Sequence, residues 1–275
     1  MIIDLPVMHG CQNRFAIVDE DVWSIPEAEK RALVLAVAGL RDVHGVLFLS
    51  TSAGARMRIF DRDGTEATMC GNGIRCAARY FCDHAYVTGS SFTIATLDGP
   101  KRVRLDNRMV AVEMGSARGY RRLAHDRHFA FTGIPHLVIL TTAMSVEAAR
   151  AEGRRLRYNR VLGAGLGYPD GVHVNFARLC EDGSLSVLTY EAGVEDVTPA
   201  CGTGSTASAY VCARAGLTRF PTVVRLLGGE LLIGSTGDGL IMRGPAEYVS
   251  PSALEWPVGY GLMESGIGAA ASLGY

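Results

Sequence analysis

Apolar and polar residues follow one another in short alternating segments along this chain. FAIVD (15–19), GVLFLST (45–51), RMRIFD (56–61), SFTIATL (91–97), RVRL (102–105) and MVAVEM (109–114) form one series. A period of two residues places apolar side chains on one face of a strand. Gly, Asp and Asn turns between the segments predict a sheet rich in antiparallel strands. Two helical stretches interrupt the series, one near 26–39 and one from Gly71 to about His84.

A second series follows: HFAF (128–131), HLVILT (136–141), VHVNFARL (172–179), LSVLTYE (185–191), TVVRLLG (222–228) and ELLIGST (230–236). Its helical stretches lie near 145–155 and from Gly202 to about Ala215. Both series run strands, a cysteine, a helix, then strands. Around Cys70 the chain reads ATMCGNGIRCAARYF, and around Cys201, 131 positions later, TPACGTGSTASAYVC. Each has Cys, Gly, a polar residue and Gly, then a helix of small residues. This is an internal repeat. It predicts an α/β (α+β) fold of two pseudo-symmetric lobes, each a mostly antiparallel sheet wrapped around a central helix. The lobes are expected at 1–117 and 118–249, with the boundary near SARGY at 116–120. The segment from about 250 to 275 is expected to pack back on the first lobe.

Composition narrows the function. Hydrophobic residues make up 48% and charged residues 20% of the 275, and the net charge is −1. These values fit a soluble globular protein and offer no basic surface for nucleic acid or for a membrane. No apolar stretch is long enough to span a bilayer and no secretory leader is legible, so a cytoplasmic location is expected. The seven cysteines (11, 70, 76, 82, 180, 201 and 212) are odd in number and suggest reduced thiols. No C-x-x-C occurs, so no zinc site is expected. Lys30 and Lys101 are the only lysines, in a polar helical stretch and a turn. Neither suits the Schiff base of a pyridoxal enzyme, and no cofactor is expected.

The two Cys-Gly-x-Gly turns carry the candidate chemistry. A cysteine at a helix start lies beside unsatisfied N–H groups and the positive end of the helix dipole, which lowers a thiol pKa. The glycines let backbone N–H groups approach an anion closely, so such a helix start suits a carboxylate. Two such turns facing across a cleft would grip one substrate carboxylate, with a sulfur on each side of the adjacent carbon. A thiolate would take a proton from one face while the opposite thiol supplied one to the other, inverting the centre. Cys76, Cys82 and Cys212 read as core residues, Cys180 as a strand end, and Cys11 as a loop residue near the cleft.

At these residues the sequence resembles the diaminopimelate epimerase family. The likeness covers most of the chain: MHGCQNRF (8–15), IFDRDGTEATMCGNGIRCAARY (59–80), GIPH (133–136), VHVNF (172–176), TYEAGVEDVTPACGTGSTA (189–207) and LGGELLI (227–233). The resemblance implies two α/β lobes around an active cleft, an isomerase with neither pyridoxal nor metal, and a homodimer. It assigns Cys70 and Cys201 as the two bases. Gly71, Asn72, Gly202 and Thr203 match the groups that hold the reacting carboxylate. Asn13, His136 and Glu191 match further functional positions, the last two as groups that set the thiol charge or hold the substrate amino group.

Other positions depart from the family pattern. Asp61, Ile134 and His173 stand where the family usually has asparagine, and Ala192 where it has arginine. Gln12 and Arg14 replace Gly and Asp, and Val46 replaces a glutamine. In the family these are mostly groups that recognise the far end of diaminopimelate. An arginine–carboxylate fork is strong and directional, and Ala192 cannot supply it. The expected substrate is therefore a small-molecule amino acid with a neutral or cationic side chain and no distal carboxylate, with Asp61 and His173 in the pocket. Arg14 is a possible replacement cation. The alternatives are a true diaminopimelate epimerase serving lysine and cell-wall synthesis, a related isomerase acting on a double bond or a hydroxy acid, and a non-catalytic small-molecule binder.

Overall fold

A computed structural model describes residues 2–3, 5–40, 42–249 and 254–255. The first half contains β1 (Ile2–Ile3), β2 (Val7–Gly10), β3 (Asn13–Asp19), α1 (Glu27–Leu40), β4 (Gly45–Ser50), β5 (Arg56–Asp61), β6 (Glu66–Ala67), α2 (Gly71–Asp83), β7 (Ser91–Thr96), β8 (Gly99–Asp106) and β9 (Met109–Gly115). The second contains β10 (Arg118–Arg122), β11 (Arg127–Phe131), β12 (Pro135–Leu140), α3 (Val146–Arg157), α4 (Arg160–Leu166), β13 (His173–Leu179), β14 (Leu185–Glu191), β15 (Asp196–Thr198), α5 (Gly202–Arg214), β16 (Thr222–Leu226), β17 (Gly229–Thr236) and β18 (Gly239–Pro245). β19 (Glu247–Tyr248) and β20 (Leu254–Glu255) follow.

The strand pairings repeat. In the first half β2–β3 is antiparallel, β3–β4 parallel, β4–β5 antiparallel, β5–β7 parallel, and β7–β8 and β8–β9 antiparallel. In the second half β11–β12 is antiparallel, β12–β13 parallel, β13–β14 antiparallel, β14–β16 parallel, and β16–β17 and β17–β18 antiparallel. α1 answers to α3 and α4 as the crossover between parallel strands, and α2 answers to α5. The halves meet where β9 pairs with β18. The chain then exchanges edges: β10 pairs with β11, and β19 with β2. The mixed α/β class and the helix-centred halves expected from the sequence are the ones observed. Of the segment from about 250, Leu254–Glu255 pairs antiparallel with Ile2–Ile3; the rest of it lies outside the described residues.

Each central helix is buried along nearly its whole length. In α2 ten of the 13 residues are buried, among them Arg75, which is 0% exposed; in α5 buried residues run from Gly202 to Ala209. A helix enclosed by strands must dispose of its polar side chains internally. Ser205 Oγ donates to Cys201 O at 2.7 Å and Thr206 Oγ1 to Gly202 O at 2.8 Å, which lets hydroxyls sit in the core. Among the described residues Arg75 has no carboxylate as a hydrogen-bond partner: it donates to Pro245 O at 3.0 Å and Gly71 O at 2.9 Å, tying α2 to the end of β18. The surface helices start in the usual way, with Ser145 capping α3 and Asn159 capping α4. Among the described residues no helix is long and apolar enough to cross a membrane.

Candidate active site

Cys70 and Cys201 are the N-cap residues of the two central helices. Both have extended backbone, and each sulfur accepts a hydrogen bond from the third residue on: Gly73 N to Cys70 Sγ and Gly204 N to Cys201 Sγ, each 3.4 Å. Thr203 Oγ1 lies 3.4 Å from Cys201 Sγ.

The two helix starts abut. A Cβ built on Gly71 would lie 3.4 Å from Gly202 Cα, and one built on Gly202 would lie 3.3 Å from Gly71 Cα. A side chain at either glycine would press on the end of Met242, and at 202 it would also crowd the Gly71 backbone, so glycine favours this approach. The thiols therefore flank a single glycine–glycine contact, one from each half. Asn72 crosses the seam, its Nδ2 donating to Ala200 O at 2.9 Å, while its Oδ1 is buried with no partner among the described residues. Thr132 Oγ1 fixes the second turn by donating to Thr203 O at 2.9 Å.

The charge state differs from the sequence expectation. Burial pushes the Cys70 thiol up to about 11, against the lowering effect of the Gly73 N–H, and the nearby Glu191 charge raises it further. Burial likewise raises Cys201 well above the ordinary thiol range, with Glu191 as the next cause. Two N–H groups at a helix start do not offset removal of a thiolate from water and a neighbouring carboxylate. Both sulfurs are therefore thiols at neutral pH.

Glu191 ends β14 and faces both sulfurs. Burial pushes its carboxyl up to about 7, against hydrogen bonds from Thr198 and Cys201. Asp61 ends β5, and its charge is felt by both Cys70 and Glu191. Burial, then Asp63, raises Asp61 to about 6.

His136 is 0% exposed, and burial drives its pKa well below the ordinary imidazole range, so the ring is neutral. Its tautomer follows from its neighbours. Asn175 places its amide nitrogen 3.1 Å from Leu137 O, and its carbonyl oxygen accepts from Thr189 Oγ1 at 2.9 Å. The same nitrogen lies 3.0 Å from His136 Nδ1. Nδ1 must therefore accept, and the ring proton sits on Nε2, which has no partner among the described residues. A neutral N–H donor suits an anion. Of the two roles weighed for His136, it cannot hold an ammonium group through Nε2.

His173 lies 5.1 Å from His136, ring to ring. Burial, helped by Arg157, lowers it to about 4, and its Nδ1 accepts from Ala192 N at 3.3 Å. Ile134 adjoins Met69 and Thr203 in a small cavity. Asn13 is half-buried, with Oδ1 lacking a partner among the described residues. Arg14 points elsewhere, to Asp42 at 2.8 Å. Cys11 is turned from the cleft toward Glu230 O and Arg75, in a two-residue turn where Cys11 (φ 52) and Gln12 (φ 62) are both left-handed. Among the described residues no group of three His, Cys, Asp or Glu side chains is placed to hold a metal ion.

Asn175, Thr189, Thr198 and Arg75 were not singled out from the sequence. One signal was available for Asn175: an amide at an inward position of the apolar strand VHVNF must find partners. Replacing Asn175 by Ala should strand the Thr189 hydroxyl and free the His136 ring. A loss of about 1–3 kcal/mol in urea unfolding is expected, with a broadened His136 ring resonance in NMR spectra.

Comparison with known proteins agrees with this geometry. The family model described as diaminopimelate epimerase matches residues 5–119. A diaminopimelate epimerase of Methanocella arvoryzae is 35% identical over 266 residues, covering 88% of this chain and 93% of its own. One from Archaeoglobus fulgidus is 36% identical, covering 90% and 95%. Among solved structures, a phenazine biosynthesis protein of the PhzF family from Enterococcus faecalis superposes with a TM-score of 0.70 at 12% identity, covering 93% of this chain and all of that one. Identity over nearly the full length, two half-related lobes and a cysteine-capped helix in each place this chain in the diaminopimelate epimerase family, and it is an isomerase.

Proposed function

We propose that the chain inverts the α-carbon of an amino acid by proton transfer between Cys70 and Cys201, without a cofactor. The observation that supports this most is the contact of Gly71 with Gly202, which leaves one cysteine N-cap on each side. A carboxylate over this contact meets the free N–H groups of two helix starts, together with the Nε2–H of His136. One of the two thiols first gives up its proton, to Glu191 or to solvent, as the substrate enters; the resulting thiolate takes the α-proton, and the electron pair spreads onto the carboxylate, where those donors stabilise it. The opposite thiol then delivers its own proton to the other face. Thiol and thiolate have exchanged places, and the centre is inverted. Glu191 receives the substrate ammonium, and accepting the Cys201 proton is its second available role.

Ile134 and Ala192 bring neither amide nor guanidinium to the far end of the cleft. Arg157, whose charge is felt by His173, is engaged by Glu195 at 3.3 Å. A second substrate carboxylate would be buried there without its usual partners, which is unfavourable. The substrate in this reading has no distal carboxylate. The second reading, epimerisation of LL-diaminopimelate, is favoured by the names of the relatives. Solvent deuterium incorporation at Cα, measured on LL-diaminopimelate and a panel of single amino acids, separates them. Fast exchange on diaminopimelate alone overturns the first reading. Ligand binding without exchange on any acid identifies a non-catalytic binder. A homodimer is proposed for the assembly, and sedimentation of the full chain tests it.

The reading also fixes a pH dependence. Glu191 must be ionised to hold an ammonium, and burial raises its pKa to about 7. The pH profile of kcat/KM, which reports the free enzyme, should fall on the acid side near that value. Glu191→Gln should lower the rate and remove this limb. The sign for stability is opposite. The folded chain keeps the Glu191 proton where the unfolded chain, with a pKa of 4.5, has lost it. Stability therefore falls as pH rises from about 4.5 to about 7, and a cationic ligand restores it.

A further inference from the structure

The repeat can be read residue by residue from strand register. β3–β4 pairs Phe15 with Gly45, and β4–β5 pairs Gly45 with Asp61. β12–β13 pairs His136 with His173, and the β13–β14 register, Val174 with Tyr190, carries His173 opposite Glu191. Phe15 thus answers to His136, Gly45 to His173, and Asp61 to Glu191. The two acids each end the strand that leads to a cysteine turn, nine residues before Cys70 and ten before Cys201. They are mates across the pseudo-two-fold axis, as the cysteines are.

That relation constrains the ligand. In the planar carbanion the carboxylate lies on the axis between the helix starts, and the sulfurs lie above and below the plane. Two substituents remain in the plane, the amino group and the side chain. The pseudo-two-fold operation that exchanges the sulfurs exchanges these two positions as well. Whichever acid meets the ammonium, its mate faces the side chain. Among the described residues no side chain donates a hydrogen bond to the Asp61 carboxylate, and the charges felt near it are other acids, Asp63 and Glu191. Cations that could serve it are engaged elsewhere: Arg14 with Asp42, Arg157 with Glu195, and Lys101 with Asp98 at 2.6 Å. A largely buried carboxylate in a ligand site to which the described residues bring no free cation calls for a cation from the ligand.

We infer that the substrate is a basic amino acid whose side-chain ammonium is held by Asp61, the half-related mate of Glu191. This rests on the two-thiol reading above and names the substrate class for it.

The test uses the full chain in deuterium oxide, following Cα exchange on lysine, ornithine and 2,4-diaminobutyrate. Norleucine, norvaline and 2-aminobutyrate serve as their uncharged counterparts, and LL-diaminopimelate as the acid with a second carboxylate. The best diamine is expected to exceed its uncharged counterpart in kcat/KM by about 10- to 100-fold, the worth of one charged hydrogen bond. Asp61→Asn, nearly isosteric, is expected to erase most of that ratio. Exchange on norleucine, norvaline, 2-aminobutyrate or diaminopimelate as fast as on the best diamine leaves the two-thiol reading standing and overturns this inference. An unchanged ratio in Asp61→Asn does the same. No exchange on any acid removes both.

Discussion

Serine at position 70 or 201 should reduce interconversion of the two enantiomers by about 1,000-fold or more while the protein stays folded. Loss of one positioned acid or base is worth about 100- to 10,000-fold, and here the same atom serves as base in one direction and acid in the other. A serine hydroxyl does not ionise at working pH, so the variant lacks a base on that face. Folding should be little affected. Serine is itself a preferred N-cap, and its oxygen can accept from Gly73 N or Gly204 N as the sulfur does. The two variants should differ in a telling way. Each should still wash deuterium slowly into the one enantiomer whose α-hydrogen faces the surviving thiol, without inverting it, and the favoured enantiomer should switch between Cys70→Ser and Cys201→Ser. The double variant should do neither. Equal residual exchange of both enantiomers in a single variant would mean that the sulfurs do not act from opposite faces.

Much of this arrangement was legible in the sequence because two kinds of signal are local. Alternation marks strands such as RMRIFD, which the structure places at 56–61, and Gly-rich helix starts mark α2 and α5. The missed elements are those whose stability comes from distant partners. β18, GLIMRGP, is held by β17 on one side and by β9, from the other half, on the opposite side. β10 and β19 are short strands that exist because the chain exchanges edges between the halves. The site divides in the same way. The cysteine motifs announced themselves. The tautomer of His136 depends on Asn175, Leu137 and Thr189, which converge only once β12, β13 and β14 are side by side. The thiol charge was misjudged for a related reason: the helix start is visible in the sequence, but the burial and the Glu191 carboxylate that outweigh it are not.

Alanine at Gly71 or Gly202 is the substitution expected to separate folding from chemistry most clearly. The new Cβ at 202 would lie 2.8 Å from Met242 Sδ and 3.3 Å from Gly71 Cα; at 71 it would lie 2.9 Å from Met242 Cε and 3.4 Å from Gly202 Cα. Met242 is fully buried, so it must repack in a closed space, and the opposing Cα is backbone of the other helix start. At 202 the approach to the Gly71 backbone must also widen by a few tenths of an ångström, which shifts α5 against α2, whereas at 71 the displaced group is the Met242 side chain. Overpacking of this kind costs about 1–3 kcal/mol, which should appear as a lower urea midpoint. Activity should fall further than stability requires. The sulfurs have to flank one carbon, and displacement of a catalytic group by about 1 Å is enough to lose about 100-fold. At a temperature where each variant is fully folded, exchange should still be reduced by about that factor. Both methyl groups press on the same Met242 side chain, so the losses in the double variant should not be additive. Activity that merely tracked the folded fraction would show that the helix starts need not touch, and the two-thiol geometry would lose its support.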